Sequence, residues 1–458
     1  MGFMKLKKNI SIMLVIGLMS STLIGCSNTS SDAGKSLDKE NARKANNELI
    51  AAVTSEPETG FDATDTGHGD MTSVFFSTLF KRNKNLGIEN DLAKSYEISE
   101  DRLTWTVKIR EDVKFTDGEN LTAEDVVYTY EIAKNSGSSI DLTMLDSVSK
   151  VDDYTVEFKL KNPQSTFIEK LATVGIVPKH AHNEGFSDNP IGSGPYKLVQ
   201  WDKGQQVIAE ANENYYGEKP SIKKLTMVFM DDDTAYAAVK AGEVDIASIP
   251  GSFAKEEVEG KKLIELDSIE TYGVAYPMEQ PGKTTADGYP IGNAVTSDET
   301  IRKALTYAID REELVEGILE GYGAPSSTGL EKMPWLNEET IIKPEEDGKI
   351  DEAKKMLEEA GWKDTNNNGT IDKNGVEAEF DLLYTDGKYR QELGLAYVEV
   401  AKKLGIKVNL ENRNWDTIVP EINSQAVLYG FGSGDPSEIY NLYSSKTFGV
   451  GVPWNNSG

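Results

Sequence analysis

The sequence predicts an α/β protein built in two or more lobes. The chain has 458 residues, about 430 of them beyond an N-terminal leader, more than one hydrophobic core commonly supports. Short runs of alternating polarity are interspersed with runs of helical period along its whole length. One strand–helix–strand unit in the second half is regular enough to specify its own topology.

The elements follow in order. Lys5, Lys7 and Lys8 precede an apolar stretch from Ile10 to Leu18, and Leu23-Ile24-Gly25-Cys26 closes it. The stretch is too short for a bilayer span of ~20 residues, so residues 1–25 read as a signal peptide. Leu-Ile-Gly-Cys resembles the lipobox of bacterial lipoproteins, in which the cysteine, here Cys26, takes a diacylglycerol and becomes the mature N-terminus. Two acyl chains would hold a soluble domain at the outer face of the cell membrane. Ser27 to Asn47 offers almost nothing to bury and reads, within residues 26–48, as a flexible lipidated tether. Thr104 to Arg110 and Thr155 to Lys161 alternate as half-buried strands do. Thr122 caps a helix running to about Lys134. Gly194–Trp201 and Gln205–Ala211 flank Asp202-Lys203-Gly204 as a hairpin. Leu225–Met230 reads as a strand, Thr234–Ala241 as a helix and Val244–Ile249 as a strand. Helices follow at Asp298–Ile309, Glu312–Glu320 and Asp351–Ala360, the last stopped by Gly361. Glu379–Tyr384, Tyr389–Leu404 and Ile406–Glu411 form the strand–helix–strand unit, whose strands should be parallel. Loops after such strands are where open α/β sheets bind ligands; here they hold Asp386-Gly387-Lys388 and Asn412-Arg413-Asn414-Trp415.

Composition excludes several classes. Cys26 is the sole cysteine, which rules out disulfides, cysteine metal clusters and thiol nucleophiles. A net charge of −28 disfavours nucleic acid and anionic membrane surfaces as partners. The three histidines are His68, His180 and His182. His180 and His182 lack a third ligand nearby and read as surface-loop residues rather than a metal site. Asp364 to Asp372 carries oxygen donors at calcium-loop offsets but has Gly375 where the bidentate glutamate would stand, so a turn is the expected reading. No hydrolase, P-loop or zinc-protease motif occurs. No catalytic residue, metal ligand or cofactor is expected, and a secreted hydrolase is the remote alternative.

Several segments together resemble the family 5 solute-binding proteins, the oligopeptide-, dipeptide- and nickel-binding components of ABC importers. They are the stretch from Glu97 to Val127, Ile176-Val-Pro-Lys-His180, Gly192-Ser-Gly-Pro-Tyr196, Ala241-Gly-Glu-Val-Asp-Ile246, Ile301 to Asp310, and Gly361-Trp362 with Gly369. The resemblance runs from about Leu49 to the end. It implies a two-lobed periplasmic-binding-protein fold (class II, Venus-flytrap). The first lobe would span 49–265, with an extra subdomain inserted at about 85–190. The second would span 266–458. It also implies a monomeric receptor, not an enzyme, whose partners are an ABC permease and its ATPase. A nutrient-sensing receptor without transport is the alternative.

The same resemblance frames the ligand. Peptide-binding members carry an Asp four residues before a Pro in the second lobe, where it holds the ligand's α-ammonium; here the Pro is Pro436 and the position is Gly432. Gly430 to Ser445, together with Gly60-Phe-Asp and Gly67-His68-Gly69, is closer to a nickel and opine-metallophore branch. The implied ligand is a short peptide or a peptide-like metal chelate. Expected contacts are His68, Arg413, Trp415, Phe431, Gly432, Ser433 and Asp435, with Arg413 suited to a ligand carboxylate. Family members continue past Tyr443 with a helix and recross to the first lobe. The polar end at Asn455–Gly458 leads to the expectation of a truncated second lobe, a single interlobe crossing and an uncovered apolar strip.

Overall fold

The computed structural model describes residues 32–57, 59–65, 71–136, 141–266, 268–326, 333, 336–337, 339, 347–437, 440 and 444. The leader, Cys26, His68 and the residues after 444 lie outside the described residues.

Helix α1 (Asp32–Asn46) leads into strand β1 (Glu48–Val53). Composition had suggested an irregular tether here, but the segment is helical and docked. Arg43 bonds Asp245 at 2.8 Å and the Gly242 carbonyl at 2.9 Å. Glu40 pairs with Lys261 at 3.3 Å. These partners lie some 200 residues away, which local composition cannot reveal.

After the short helix α2 (Thr72–Phe75), an inserted subdomain begins. Strands β2 (Phe80–Arg82) and β3 (Ile88–Asn90) form a hairpin. Strands β4 (Ala93–Ile98) and β5 (Thr104–Ile109), helix α3 (Ala123–Ala133), strands β6 (Leu145–Asp152) and β7 (Thr155–Leu160), and helix α4 (Phe167–Leu171) complete it. The sheet is antiparallel in the order β4-β5-β7-β6. Alternation in β5 sends Trp105, Val107 and Ile109 into a core that runs in sequence from Leu79 to Ile176. Thr122 caps α3 in a capping box closed by Asp125, whose carboxylate accepts the Thr122 N–H at 2.9 Å.

The chain returns through β8 (Tyr196–Asp202), β9 (Gln206–Ala211), β10 (Lys224–Phe229) and helix α5 (Asp232–Lys240). These strands join β1 in a sheet of order β1-β10-β9-β8, with β1 and β10 parallel. The strand expected at Val244–Ile249 is reduced to one parallel bridge, Ala51 to Ile246. Beyond Ile246 the segment leaves the sheet edge, and Pro250 starts the short helix α6 (Gly251–Ala254).

Residues 255–270 cross to a second body. There β11 (Thr271–Ala275) is followed by the two-residue hairpin β12 (Lys283–Thr284) and β13 (Pro290–Ile291). Helices α7 (Glu299–Ala308), α8 (Arg311–Ile318) and α9 (Ile350–Glu359) come next. A second small hairpin, β14 (Asp372–Lys373) and β15 (Val376–Glu377), precedes β16 (Glu379–Tyr384), α10 (Lys388–Lys403), β17 (Lys407–Asn412), α11 (Trp415–Ile418) and β18 (Ala426–Phe431). The sheet order is β11-β18-β16-β17, with β16 parallel to both β17 and β18. The carboxyl ends of these three strands therefore share one edge. The core packs α7, α9 and α10 against this sheet, separately from the insert core.

Candidate functional site

Between the two lobes lies a cavity of about 2600 Å³. Its first-lobe wall comes from α5, α6 and the segment Ile246–Ile249. The crossing residues form its floor, and β11, α8 and one face of α10 close the far side. Tyr389, Leu393, Tyr397 and Val400 on α10 all face it. Their spacing is that of one helical stripe, so periodicity alone assigns them to the core. The sequence reading missed them for that reason.

The cavity's polar chemistry rests largely on tyrosines. Tyr276 and Tyr397 share a hydroxyl–hydroxyl hydrogen bond at 2.6 Å. Burial pushes Tyr276 up to about 12, and it carries Tyr397 well above the ordinary phenol value. Tyr272 is likewise pushed up to about 12 by burial and by the neighbouring Glu270 carboxylate. All three stay neutral at physiological pH, so each can both donate and accept a hydrogen bond. Tyr236 stacks flat on Phe253 at 4.3 Å and donates to Glu256 at 2.7 Å. The lobes touch directly where the Gly251 N–H donates to the Tyr389 hydroxyl at 2.7 Å. Nine carboxylate residues line the cavity against four cationic ones. Two of those cations are engaged elsewhere, Lys261 with Glu40 and Arg311 with Asp347. Three of the carboxylates are likewise engaged, Asp245 with Arg43, Glu256 with Lys240 and Glu270 with Arg390, so a carboxylate excess remains and favours cationic character in a ligand.

The residues singled out from sequence lie elsewhere, on the shared carboxyl edge of β16, β17 and β18. Arg413 follows β17, and its guanidinium binds Glu411 and, at 2.8 Å, Glu421, both in its own lobe. Trp415 packs on a small cluster of Leu383, Ile418, Ile422 and Val427. Phe431 ends β18 opposite Thr271 and is buried. A Cβ on Gly432 would stand 2.9 Å from the Ile269 carbonyl and 3.1 Å from the Glu270 backbone, so side chains are excluded at that position. The Ser433 hydroxyl accepts the Asp435 N–H at 3.1 Å. Asp435 pairs with Lys170 of the insert at 2.8 Å and accepts both the N–H and the hydroxyl of Ser437. The segment after β18 thus reaches back to the insert, beside the crossing through residues 255–270. That crossing leaves Leu266 85% exposed and Ile264 67% exposed, an apolar strip along the cavity.

The two described histidines bind different carboxylates. His180 meets Asp117 at 2.7 Å, and His182 bridges Asp62 at 2.9 Å and the Tyr128 hydroxyl at 3.0 Å. Burial works to raise the Asp62 carboxyl, but hydrogen bonds from His182 and Thr64 outweigh it and hold the group below its ordinary value. The 364–372 loop is closed on itself. Asp364 accepts the N–H groups of Asn368 and Gly369, and Glu377 takes the side-chain amides of Asn366 and Asn368 at 3.0 and 2.6 Å.

This arrangement, two α/β lobes around a wide cavity, agrees with the comparisons. The family model of bacterial extracellular solute-binding proteins, family 5, matches residues 87–450. The chain belongs to that family. The oligopeptide-binding protein AppA of Bacillus subtilis is 30% identical over 469 residues, covering 97% of this chain and 83% of the relative. Among solved structures, NikZ from Campylobacter jejuni in complex with Ni(L-His) superposes with a TM-score of 0.78 at 27% identity, over 90% of this chain and 83% of that one. Bacillus subtilis AppA in complex with a nonapeptide gives 0.72 at 28% identity, over 87% and 82%. The two-lobed fold and the solute-binding role expected from the sequence motifs therefore hold, and the protein acts outside the cytoplasm as its family does.

Proposed function

We propose that the protein is an exported, lipid-anchored, monomeric receptor of an ABC importer. It captures a short peptide or a peptide-like metal chelate between its lobes and hands it to a permease driven by an ATPase. The interlobe cavity of about 2600 Å³, walled by neutral tyrosines and an excess of carboxylates, is the observation that carries this reading. A ligand bridging the cavity lowers the free energy of the closed state, which is the form a permease would recognise. The names of the relatives support both ligand classes, since one is called oligopeptide-binding and another was solved with Ni(L-His). Tyr272, Tyr389 and Tyr397 supply hydrogen bonds from the second lobe, and His68, Arg413, Trp415, Phe431, Gly432, Ser433 and Asp435 remain further candidate contacts on the family resemblance. We take the first lobe as 49–265, with its insert at about 85–190, and the second as 266–458.

Calorimetric titration with Ni(L-His) and, separately, with a nonapeptide tests the reading. One of the two should bind with micromolar or tighter affinity, and Tyr272→Ala should weaken that binding at least tenfold. Failure of both probes, with no ligand found by native mass spectrometry of freshly purified protein, would sink the proposal. The anchor is tested separately. Cys26→Ala should leave the protein in the soluble fraction or as an uncleaved precursor. Wild-type processing and membrane fractionation of that variant would rule out lipidation at Cys26.

A further inference from the structure

Four charged side chains meet where the segment after β18 touches the insert. Lys170 of α4 pairs with Asp435 at 2.8 Å, with the two side chains only 10% and 13% exposed. Its neighbour Glu169, 11% exposed, pairs with Arg82 at the end of β2. Arg82 also donates to the Gly434 carbonyl at 2.7 Å and, through its other terminal nitrogen, to the Leu86 carbonyl at 2.8 Å. Two of these residue pairs join different bodies: Arg82 and Lys170 belong to the insert, whereas Gly434 and Asp435 follow the last strand of the second-lobe sheet. Gly434 makes the approach possible, because a Cβ there would stand 2.5 Å from the Arg82 guanidinium carbon.

We propose that Arg82, Glu169, Lys170 and Asp435 form an interlobe latch that closes the receptor in one register without ligand in contact with it. Two cations face two carboxylates, and each is satisfied by a named partner, so the cluster holds no surplus charge with which to bind an ionic solute. Its role is between lobes. In a separated state Lys170 and Asp435 are hydrated while Arg82 keeps Glu169 within the insert, and in the joined state all four are paired and Arg82 also reaches the Gly434 carbonyl. Desolvation largely offsets the attraction of a buried ion pair, so such a cluster adds little net strength. A displaced register is different, because it leaves at least one charge buried and unpaired. The latch therefore discriminates against misaligned closure while leaving the open state accessible. It acts whatever the ligand is, and it places Asp435 in the closing machinery.

Hydrogen exchange on the unliganded full-length chain tests this. Lys170→Met strands the Asp435 charge, and Asp435→Asn strands Lys170 while keeping an acceptor for Ser437. Each single change should speed exchange of the 429–437 backbone at least tenfold. The double variant Lys170→Met with Asp435→Asn buries no unpaired charge and should return to within threefold of wild type. Single variants that exchange like wild type, or a double variant as fast as either single, would overturn the latch. Should Lys170→Met also expose the insert strands β5 and β7, the insert itself has loosened, and Gly434→Ala then decides. That change crowds the Arg82 guanidinium, which bonds both the Gly434 carbonyl and Glu169, and leaves the Lys170 and Asp435 side chains unaltered. Faster exchange confined to 429–437 supports the latch, and unchanged exchange refutes it.

Discussion

The lobes meet at two places that are chemically unlike. Around the cavity neutral groups predominate: a backbone N–H of one lobe on a tyrosine hydroxyl of the other, a tyrosine pair bonded through its hydroxyls within the second lobe and a tyrosine stacked on a phenylalanine within the first, with the more exposed Lys255–Glu320 ion pair beside them. At the strand edge the contacts are ionic and closed on themselves. Neutral hydroxyls adapt to whatever donor or acceptor a solute presents. A paired ionic cluster accepts one geometry and rejects others. The cavity side is thus suited to recognising variable ligands, and the edge to fixing how the lobes come together.

This contrast can be broken or sharpened experimentally. The largest effect should come from Tyr397→Ala, which empties a buried aromatic site in the second-lobe core. A loss of about 3–4 kcal/mol in denaturant melts is expected, as for other buried aromatic truncations. A loss below about 1 kcal/mol would mean that the α10 stripe is not integral to that core. Alkali offers the next test. A phenol whose folded value is raised to about 12 from an ordinary 10 contributes stability that is complete below pH 10 and lost as pH rises through 12. Wild type should lose about 2 kcal/mol over that window relative to Tyr276→Phe, read from paired unfolding curves. Parallel curves would show that the pair is hydrated.

Acid probes the ionic side through Glu169, which is raised by burial and by Asp435 against the opposing pull of Arg82. A carboxyl raised in the folded state binds its proton more tightly there, so this titration should favour the folded protein as pH falls from neutrality toward the ordinary glutamate range. Glu169→Gln removes that contribution, so over the same fall in pH the variant should lose more stability than wild type. Equal losses would mean that burial does not govern this carboxyl. The smallest effect is expected from Arg413→Ala. Its guanidinium is already occupied by Glu411 and Glu421, so calorimetry with a carboxylate ligand should register a change of about 0.5 kcal/mol or less, in line with an exposed pair. A loss of about 1.5–3 kcal/mol would instead restore Arg413 as a direct ligand contact.

Much of the architecture was legible because it is local. Period-2 and period-3.6 runs located β5, β7, β16, α10 and β17, and the parallel pairing of β16 with β17 follows from the helix between them. The Thr122 capping box could be read from four residues. What escaped depends on distant partners. Helix α1 is pinned by Asp245 and Lys261, and no composition rule foresees that. Ile246 has the apolar, branched character of a strand residue, yet it makes only one bridge because the chain turns away toward the cavity. The cavity tyrosines on α10 and the residues of its buried face carry the same periodicity, so a lining helix and a core helix read alike. The strand–helix–strand argument put Arg413 at the carboxyl edge, where it stands, and Phe431–Asp435, singled out by family position, follow β18 at the same edge. Their partners Lys170, Glu411 and Glu421 were not visible, and these partners determine what the residues can still bind.

The docking of α1 also limits where the receptor can travel. With Cys26 lipidated as proposed, only five residues separate the acylated position from the helix, a reach of at most about 20 Å. The 15-residue helix adds about 22 Å even if it stands upright. A body held this close to the bilayer samples a thin layer rather than a volume. Its encounters with a permease in the same membrane become nearly two-dimensional, and the local concentration each partner experiences is set by leash length rather than by expression level.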